Sequence, residues 1–347
     1  PVRNHHNKKN VIKTLLVDGN NLLKIGFNGV KDYYHKGKHI GGIWHFLNTT
    51  RRFIEEYNYD KVVVFWDGED SSKARKDIYP QYKENRKKHS DSNEYKEESF
   101  TEQKGRVKLY LEEMFIRQID VDNNEADDLI AYYCQISNNE HKTIFSGDKD
   151  LTQLIGENVS VYSPNTRQFY HNGDKIKGKD YEFPHSNIIT LKIFTGDKSD
   201  NIDGIYYFGE KTLVKFFPEI LDNTVSVTDI LTKAQRLFEN KEGGAAIENL
   251  LSGKTKTGIH GDEFFKVNQK IVDLSIPLIT DEGKELVELY YTETLDPEGR
   301  GHRNLIKMMM DDGIFKYLPK GDDNWVYFLT PFLKLTRKEK RNFKQNK

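Results

Sequence analysis

The sequence predicts an α/β fold built on a largely parallel sheet, and three observations predict it. The first is a repeated grammar: a strand-like run ends in an acid beside a glycine. Val11 to Val17 ends at Asp18-Gly19, Lys61 to Trp66 ends at Asp67-Gly68, and Ile144-Phe145-Ser146-Gly147 ends at Asp148. The second is the continuous, Val-rich run from Lys61 to Trp66, the pattern of a strand buried on both faces. The third is alternation of such strands with apolar residues at helical spacing, as at Ile43, Phe46, Leu47, Phe53, Ile54 and Tyr57. That alternation is typical of parallel sheets with crossover helices. Ligands of such sheets bind outside the carboxyl ends of the strands, so Asp18, Asp67 and Asp148 are expected to face one crevice.

With 347 residues the chain is long enough for one large domain or two moderate ones. Its formal charge is −1, from 53 Lys plus Arg against 54 Asp plus Glu. The balance hides a segregation. Lys73 to His89 carries seven basic and two acidic residues, and Lys334 to Lys347 carries seven and one. For nucleic-acid binding the distribution matters more than the sum. The one cysteine, Cys134, permits no intrachain disulfide and fits a reducing compartment. It lies in an apolar helical run and reads as a buried structural thiol. No stretch approaches ~20 consecutive apolar residues, so no membrane span is expected. Pro1 to Asn10 is polar and basic and reads as a disordered leader rather than a secretory signal. A cytoplasmic location follows as an expectation.

After the second strand, Ser71 to Gln103 is highly charged and almost free of aliphatic residues. A loop this long inside a compact domain is usually functional or disordered. It holds Tyr79-Pro-Gln-Tyr82-Lys83-Glu-Asn-Arg86-Lys87-Lys88, where cations suit phosphates and rings suit bases; a mobile charged loop without a partner is the plain alternative. Glu102 to Phe115 reads as an amphipathic helix. Val159 to Tyr162 and Arg167 to Tyr170 read as short strands, and His171 to Lys179 as a polar loop. Ile188 to Phe194 reads as a helix leading to Asp197 and Asp200, which one helical turn brings together. Gly204 and Gly209 precede Lys211-Thr212 and an apolar run, leaving N–H groups free for a phosphate or forming a plain helix hairpin. Ile230 to Phe238, Phe264 to Leu274 and His302 to Met310 read as helices. Lys241 to Lys256 reads as a flexible connection, Trp325 to Leu335 as an apolar segment packing back on the core, and Arg337 to Lys347 as a frayed basic end.

The densest signal is Glu125-Ala-Asp127-Asp128 followed by Gly147-Asp148-Lys149-Asp150. Acids favour the first turn of a helix, so the tetrad alone fits a cap as well as a ligand set. The second pair, at a strand end, tips the reading. Crowded carboxylates raise one another's pKa unless a cation compensates them, and Mg²⁺ takes a few carboxylates with water. The candidate ligands are Asp18, Asp67, Glu125, Asp127, Asp128, Asp148, Asp150, Asp197 and Asp200. No His or Cys accompanies them, which points to Mg²⁺ or Mn²⁺ and away from Zn²⁺. Two metals about 4 Å apart are a recurring solution for phosphodiester hydrolysis. Glu125 and Asp127 do not share a face of a regular helix; both serve only if they sit at its start.

These motifs resemble the structure-specific 5′ nucleases, or flap endonucleases. The matching residues are Val17-Asp-Gly-Asn-Asn21, Phe65-Trp-Asp67-Gly, Glu125-Ala-Asp-Asp128, Ser146-Gly-Asp-Lys-Asp150-Leu and Gly196-Asp-Lys-Ser-Asp200-Asn. The sequence is most similar to the bacteriophage 5′–3′ exonucleases and the T-even phage ribonuclease H. The resemblance implies a PIN-like nuclease core over residues 11–184, with a helical arch at 71–103 for a single-stranded 5′ end. It implies a helical region over 185–335, whose hairpin at 196–217 grips duplex DNA, with a basic tail at 336–347. It implies catalysis by Lys83 and Arg86 with Asp18, Asp67 and Asp148. Tyr82, Lys83, Arg86, Lys87, Lys88, Gly204, Gly209, Lys211 and Thr212 are the implied nucleic-acid contacts. The cofactors implied are two Mg²⁺, with Mn²⁺ able to substitute, and K⁺ at the hairpin. The implied substrates are 5′ flaps, nicked or gapped duplexes and RNA primers, met during phage DNA replication in a bacterial host cytoplasm. A monomer is expected; a single-strand-binding protein and other replisome components are candidate partners. The usual Gly-Ile-Pro-Gly-Ile-Gly-x-Lys run reads Gly204-Ile-Tyr-Tyr-Phe-Gly209-Glu-Lys211 here. Two other readings stand beside this one: a small-substrate phosphohydrolase with a nucleophilic Asp, and a non-catalytic DNA-binding replication factor.

Overall fold

A computed structural model describes residues 11–87, 94–319 and 324–346. The leader 1–10, Lys88 and Lys347 lie outside the described residues, and the side chain of Lys87 is likewise not described. β1 (Ile12–Asp18) runs into α1 (Gly19–Gly29). A small ribbon, β2 (Tyr34–His35) and β3 (Lys38–His39), precedes α2 (Gly41–Tyr57). β4 (Lys61–Asp67) leads through α3 (Lys73–Ile78) to α4 (Glu94–Glu113). Then come β5 (Arg117–Val121), α5 (Ala126–Ile136), β6 (Glu140–Phe145), β7 (Val159–Ser163) and β8 (Gln168–Tyr170). A second ribbon, β9 (Lys175–Lys177) with β10 (Glu182–Pro184), opens the helical region.

The six-stranded sheet has the order β5-β4-β1-β6-β7-β8. All its pairings are parallel except β7 with β8. The three strands that end in acid and glycine are β1 and its two neighbours. Asp18 lies opposite Phe65 of β4, and Val17 opposite Phe145 of β6. Parallel direction and matched register bring their carboxyl ends to one edge, as the sequence grammar requires. The apolar runs are buried on both faces. Leu15, Val17, Val64 and Trp66 pack under α2 and α4, while Leu16, Val63 and Phe65 pack under α5 and the later helix Asp281–Thr292.

The remainder is helical: α6 (Ile188–Thr195), α7 (Glu210–Phe216), α8 (Val227–Glu239), α9 (Gly244–Ser252), α10 (Asp262–Val272), α11 (Asp281–Thr292), α12 (His302–Asp311) and α13 (Trp325–Gln345). α6 to α10 build a second core around Phe194, Phe217, Ile230 and Phe265.

Several expectations need correction. The segment 241–256 is no flexible connection: α9 occupies Gly244–Ser252 and buries Ile247 and Leu250. The basic end is not frayed over its described part, because α13 continues to Gln345 and its Glu339 pairs with buried Arg117 at 2.7 Å. Residues 336–345 are therefore part of a docked helix, not a separate tail. The helix expected from Glu102 begins at Glu94, so the end of the 71–103 segment and the following helix are one element. The polar loop expected at 171–179 contains β9.

Candidate metal and nucleic-acid site

The site is assembled at the carboxyl edge of the sheet by the loop after β1. Asp18 caps α1, accepting from the Asn21 N–H at 3.2 Å. Asn20 Oδ1 accepts from the Asp67 N–H at 3.2 Å, and Asn21 Oδ1 from the Gly147 N–H at 2.9 Å. One motif thus ties the ends of β4 and β6 to the end of β1. The glycines serve close approach rather than turning. A Cβ on Gly19 would lie 2.6 Å from the Trp66 ring, and one on Gly68 only 1.9 Å from the Val121 carbonyl oxygen. Ser146 completes the brace: its Oγ donates to Asp18 Oδ2 at 2.8 Å and accepts from the Asp148 N–H at 3.0 Å.

Glu125 sits at the N-cap of α5 with extended backbone, and Asp127 and Asp128 lie in its first turn. The change of direction at the cap lets Glu125 and Asp127 both line the cleft, which a regular helix would forbid. The cleft holds about 720 Å³ and is lined by Asp18, Asp67, Glu125, Asp127, Asp148, Asp150 and Asp200. Asp197 lines the adjoining space with Asp148, Asp150 and Asp200. Asp128 turns away. It is fully buried and held by Arg75 at 2.5 and 3.0 Å and by the Leu278 N–H at 3.0 Å. Eight of the nine expected ligands therefore converge, and Asp128 stands apart as a structural ion pair.

Charge divides the convergent acids into two groups. Among the described residues, the cleft's ion pairs go to Glu125 from Arg75 and Lys83, to Asp150 and Asp197 from Lys192, and to Asp200 from Arg86. None goes to Asp18, Asp67, Asp127 or Asp148. Burial, then the neighbouring Asp67, pushes the Asp18 carboxyl up to about 7. Burial also raises Asp67, with Glu125 adding to it, and raises Asp127 well above the ordinary range, with Asp148 and Asp18 adding to it. Burial works against ionised Glu125, yet Arg75 and Lys83 outweigh it and hold that carboxyl below its usual value. An uncompensated, oxygen-only group of four acids fits a hard divalent cation. A second group, Asp150, Asp197 and Asp200, offers carboxylate oxygens all within 4.8 Å of one another.

The basic residues flank this cleft. Lys83 Nζ donates to Glu125 Oε1 at 2.8 Å, and Arg86 Nη2 to Asp200 Oδ1 at 2.5 Å. The Lys83 N–H bonds the Asp200 carbonyl at 2.9 Å, Asn85 the Lys198 carbonyl at 2.9 Å, and Asn201 the Gln81 carbonyl at 2.7 Å. The base of the charged segment is thereby stitched to the loop after α6. Tyr82 is not exposed for stacking. It is 3% exposed, packs in the helical core, and donates its hydroxyl to Glu125 at 3.2 Å. In the hairpin, Lys211 is exposed, while Glu210 turns inward and accepts from the N–H groups of Lys179, Asp180 and Tyr181 at 2.7–2.9 Å. Thr212 lies within α7, and Gly209 caps it. Gly204 packs against the Thr195 carbonyl, where a Cβ would approach to 2.3 Å.

Residues 13–180 match the sequence profile of the 5′-3′ exonuclease N-terminal, resolvase-like domain. This stretch, just under half of the chain, belongs to the 5′ nuclease family. A 5′-3′ exonuclease of Halalkalibacterium halodurans is 27% identical over 288 residues, covering 77% of this nuclease and 91% of that one. DNA polymerase I of Streptococcus pneumoniae is 29% identical over 216 residues, covering 60% of this chain and 24% of the polymerase. The fold matches that of the bacteriophage T5 flap endonuclease, solved as a complex with DNA and metal ions. Its TM-score is 0.60 at 22% identity, with 80% of this chain and 97% of that one covered.

Arg75, Lys192 and Ser146 are site residues that the sequence reading missed. Lys192 had a signal, as a lone cation in the apolar run Ile188 to Phe194. Ser146 stood inside a quoted motif without a role, and Arg75, which acts across a long sequence separation, had no signal.

Proposed function

We propose that this 5′ nuclease hydrolyses phosphodiesters in 5′ flaps, nicked or gapped duplexes and RNA primers with the help of two divalent cations, Mg²⁺ in the cell and Mn²⁺ as a substitute. The observation that carries the reading is the convergence of Asp18, Asp67, Asp127 and Asp148 on one cleft with Lys83 and Arg86 at its side. The first four acids would hold one cation; Asp150, Asp197 and Asp200 would hold the other. When bound, such cations neutralise phosphate charge and activate water for attack on phosphorus. The chain's own groups do the rest. Asn20, Asn21 and Ser146 fix the acids, so little reorganisation accompanies the reaction. Lys83 and Arg86, anchored on Glu125 and Asp200, present cations to the scissile phosphate. The segment around residues 71–103 receives the single-stranded 5′ end, and Gly204, Gly209, Lys211 and Thr212 face the duplex.

A 5′-labelled flap duplex incubated with Mg²⁺ tests this. Cleavage near the junction is expected from the native chain and not from Asp148→Asn. Lys83→Ala is expected to retain metal binding while losing about 10²-fold or more in rate, in line with removal of one transition-state donor. Intact flap with folded native protein would refute the reading. Full activity of Lys83→Ala would favour a small-substrate phosphohydrolase, and flap binding without product would favour a non-catalytic factor.

A further inference from the structure

The hairpin between α6 and α7 carries an aromatic feature that the metal site does not use. Ile205 to Phe208 form a tight turn, closed by the Phe208 N–H on the Ile205 carbonyl at 3.1 Å. Ile205 and Phe208 are buried anchors, whereas Tyr207 between them is 81% exposed. Tyr207 has φ of +52°, at a turn position where glycine or asparagine is favoured because a Cβ is strained there. A large ring is thus held outward in an unfavourable backbone state.

The ring is also braced. Tyr206 packs edge-on against Tyr207 with centroids 4.3 Å apart, and the Lys254 ammonium lies 5.5 Å from the Tyr206 centroid. The Tyr206 N–H donates to the Lys254 carbonyl at 2.8 Å, and the Asn249 amide donates to the Tyr206 carbonyl at 3.2 Å. Two loops, one on the hairpin and one after α9, therefore form a single rigid surface of two tyrosines and a lysine. Exposed Lys211 and Lys256 lie on the same two elements. Rings interleaved with ammonium groups match a nucleic-acid strand better than an apolar protein face. Tyr207 lies between Gly204 and Gly209, two of the hairpin residues assigned above to the duplex.

We infer that Tyr207, backed by Tyr206 and Lys254, is a contact to the sugar–phosphate backbone of duplex DNA, with the ring against deoxyribose and the ammonium toward phosphate. The inference rests on the reading of the hairpin as a duplex-binding element. It gives the turn a reason to keep tyrosine where glycine is easier.

The test is fluorescence anisotropy with a labelled blunt duplex lacking any flap, in EDTA, using the full chain and Tyr207→Gly. Glycine relieves the backbone strain, so thermal stability is expected to hold or rise while duplex affinity falls about tenfold, the loss expected for one desolvated ring contact. The salt slope is expected to stay unchanged for Tyr207→Gly and to fall by about one for Lys254→Ala. Equal affinity of Tyr207→Gly and the native chain overturns the inference and leaves the surface to a protein partner. Absence of duplex binding by the native chain also overturns it. Neither outcome touches the cleavage reading, whose own failure is absence of flap cleavage in Mg²⁺.

Discussion

Arg75 grips Asp128 with two hydrogen bonds, Nη1 to Oδ2 at 2.5 Å and Nη2 to Oδ1 at 3.0 Å, and both side chains are buried. The same guanidinium reaches Glu125 at 3.2 Å, and its Nε donates to the Ile271 carbonyl at 2.9 Å. Arg75 therefore joins the segment after β4 to the helical region and neutralises two buried carboxylates. Removing one partner of such a group leaves uncompensated buried charge, which costs about 3–5 kcal/mol. Arg75→Met is expected to lose stability on that scale in urea unfolding. Asp128→Asn is expected to lose less, because Arg75 keeps Glu125, and to retain divalent-metal binding. A metal-free phenotype for Asp128→Asn would return that residue to the ligand set.

Acid crowding makes the metal-free protein sensitive to alkali. Asp18 and Asp150 are both pushed up to about 7, by burial and then by Asp67 and Asp148 respectively, from an ordinary value of 3.8. Between about pH 5 and 7 the folded chain thus binds more protons than the unfolded one, and stability falls as pH rises. Glu125 and Asp197, held below their usual values, act in the opposite sense but only below about pH 5. Melting curves in EDTA are expected to drop by several degrees across that window. Mg²⁺ is expected to raise the midpoint more at pH 7 than at pH 5, since it binds the ionised, folded form. A midpoint in EDTA that climbs with pH would contradict the assignment.

Much of this was legible because strand, acid and glycine recur as a local pattern, and parallel topology then dictates where the acids meet. The meaning of the glycines was not legible: Gly19 and Gly68 are required by Trp66 and Val121, which are distant in sequence. Tyr82 misled because a tyrosine among cations looks like a stacking residue, yet its ring fills the helical core. The basic end misled for the converse reason. The preceding apolar segment, with Phe328, Leu329, Phe332 and Leu335, packs on the core as expected, but the helix runs on through the basic residues, and Arg117 accounts for the buried Glu339 among them. Composition reports solvation of a segment well, but it does not report one docked face.

Lys192 offers a test of the second acidic group. Its ammonium lies 2.6 Å from Asp197 and also pairs with Asp150. Burial works against its charge, but Asp150, Asp148 and Asp197 outweigh that and hold the ammonium protonated. A divalent cation entering between these acids must compete with that charge. Lys192→Met is expected to tighten the weaker of two calorimetric Ca²⁺-binding steps by about tenfold, the scale of one partly screened unit charge at close range. The tighter step, assigned to Asp18, Asp67, Asp127 and Asp148, is expected to remain unchanged. Loss of the weaker step in Lys192→Met would show that the lysine supports the site instead of competing for it.

Glu210 stands at the free position of the hairpin run, just before Lys211, and its carboxylate has partners within the fold. Both carboxylate oxygens are occupied: Oε2 accepts from the Lys179 N–H at 2.7 Å, and Oε1 from the Asp180 and Tyr181 N–H groups at 2.9 and 2.8 Å. The charge faces the loop between β9 and β10, whose Asp180 carboxylate also lies 3.7 Å from the Lys211 ammonium. Charge-assisted bonds to backbone donors are stronger than neutral ones, and stranding several such donors costs about 1–3 kcal/mol each when they are buried. These lie near the surface, where water replaces part of the loss, so Glu210→Ala is expected to cost about 2 kcal/mol in all. Glu210→Gln keeps one acceptor and is expected to fall between. Neither variant is expected to steepen the salt dependence of duplex binding, because the carboxylate was already spent on the loop. Tighter duplex binding by Glu210→Gln, with a steeper salt slope, would mean that the acid had been repelling phosphate all along.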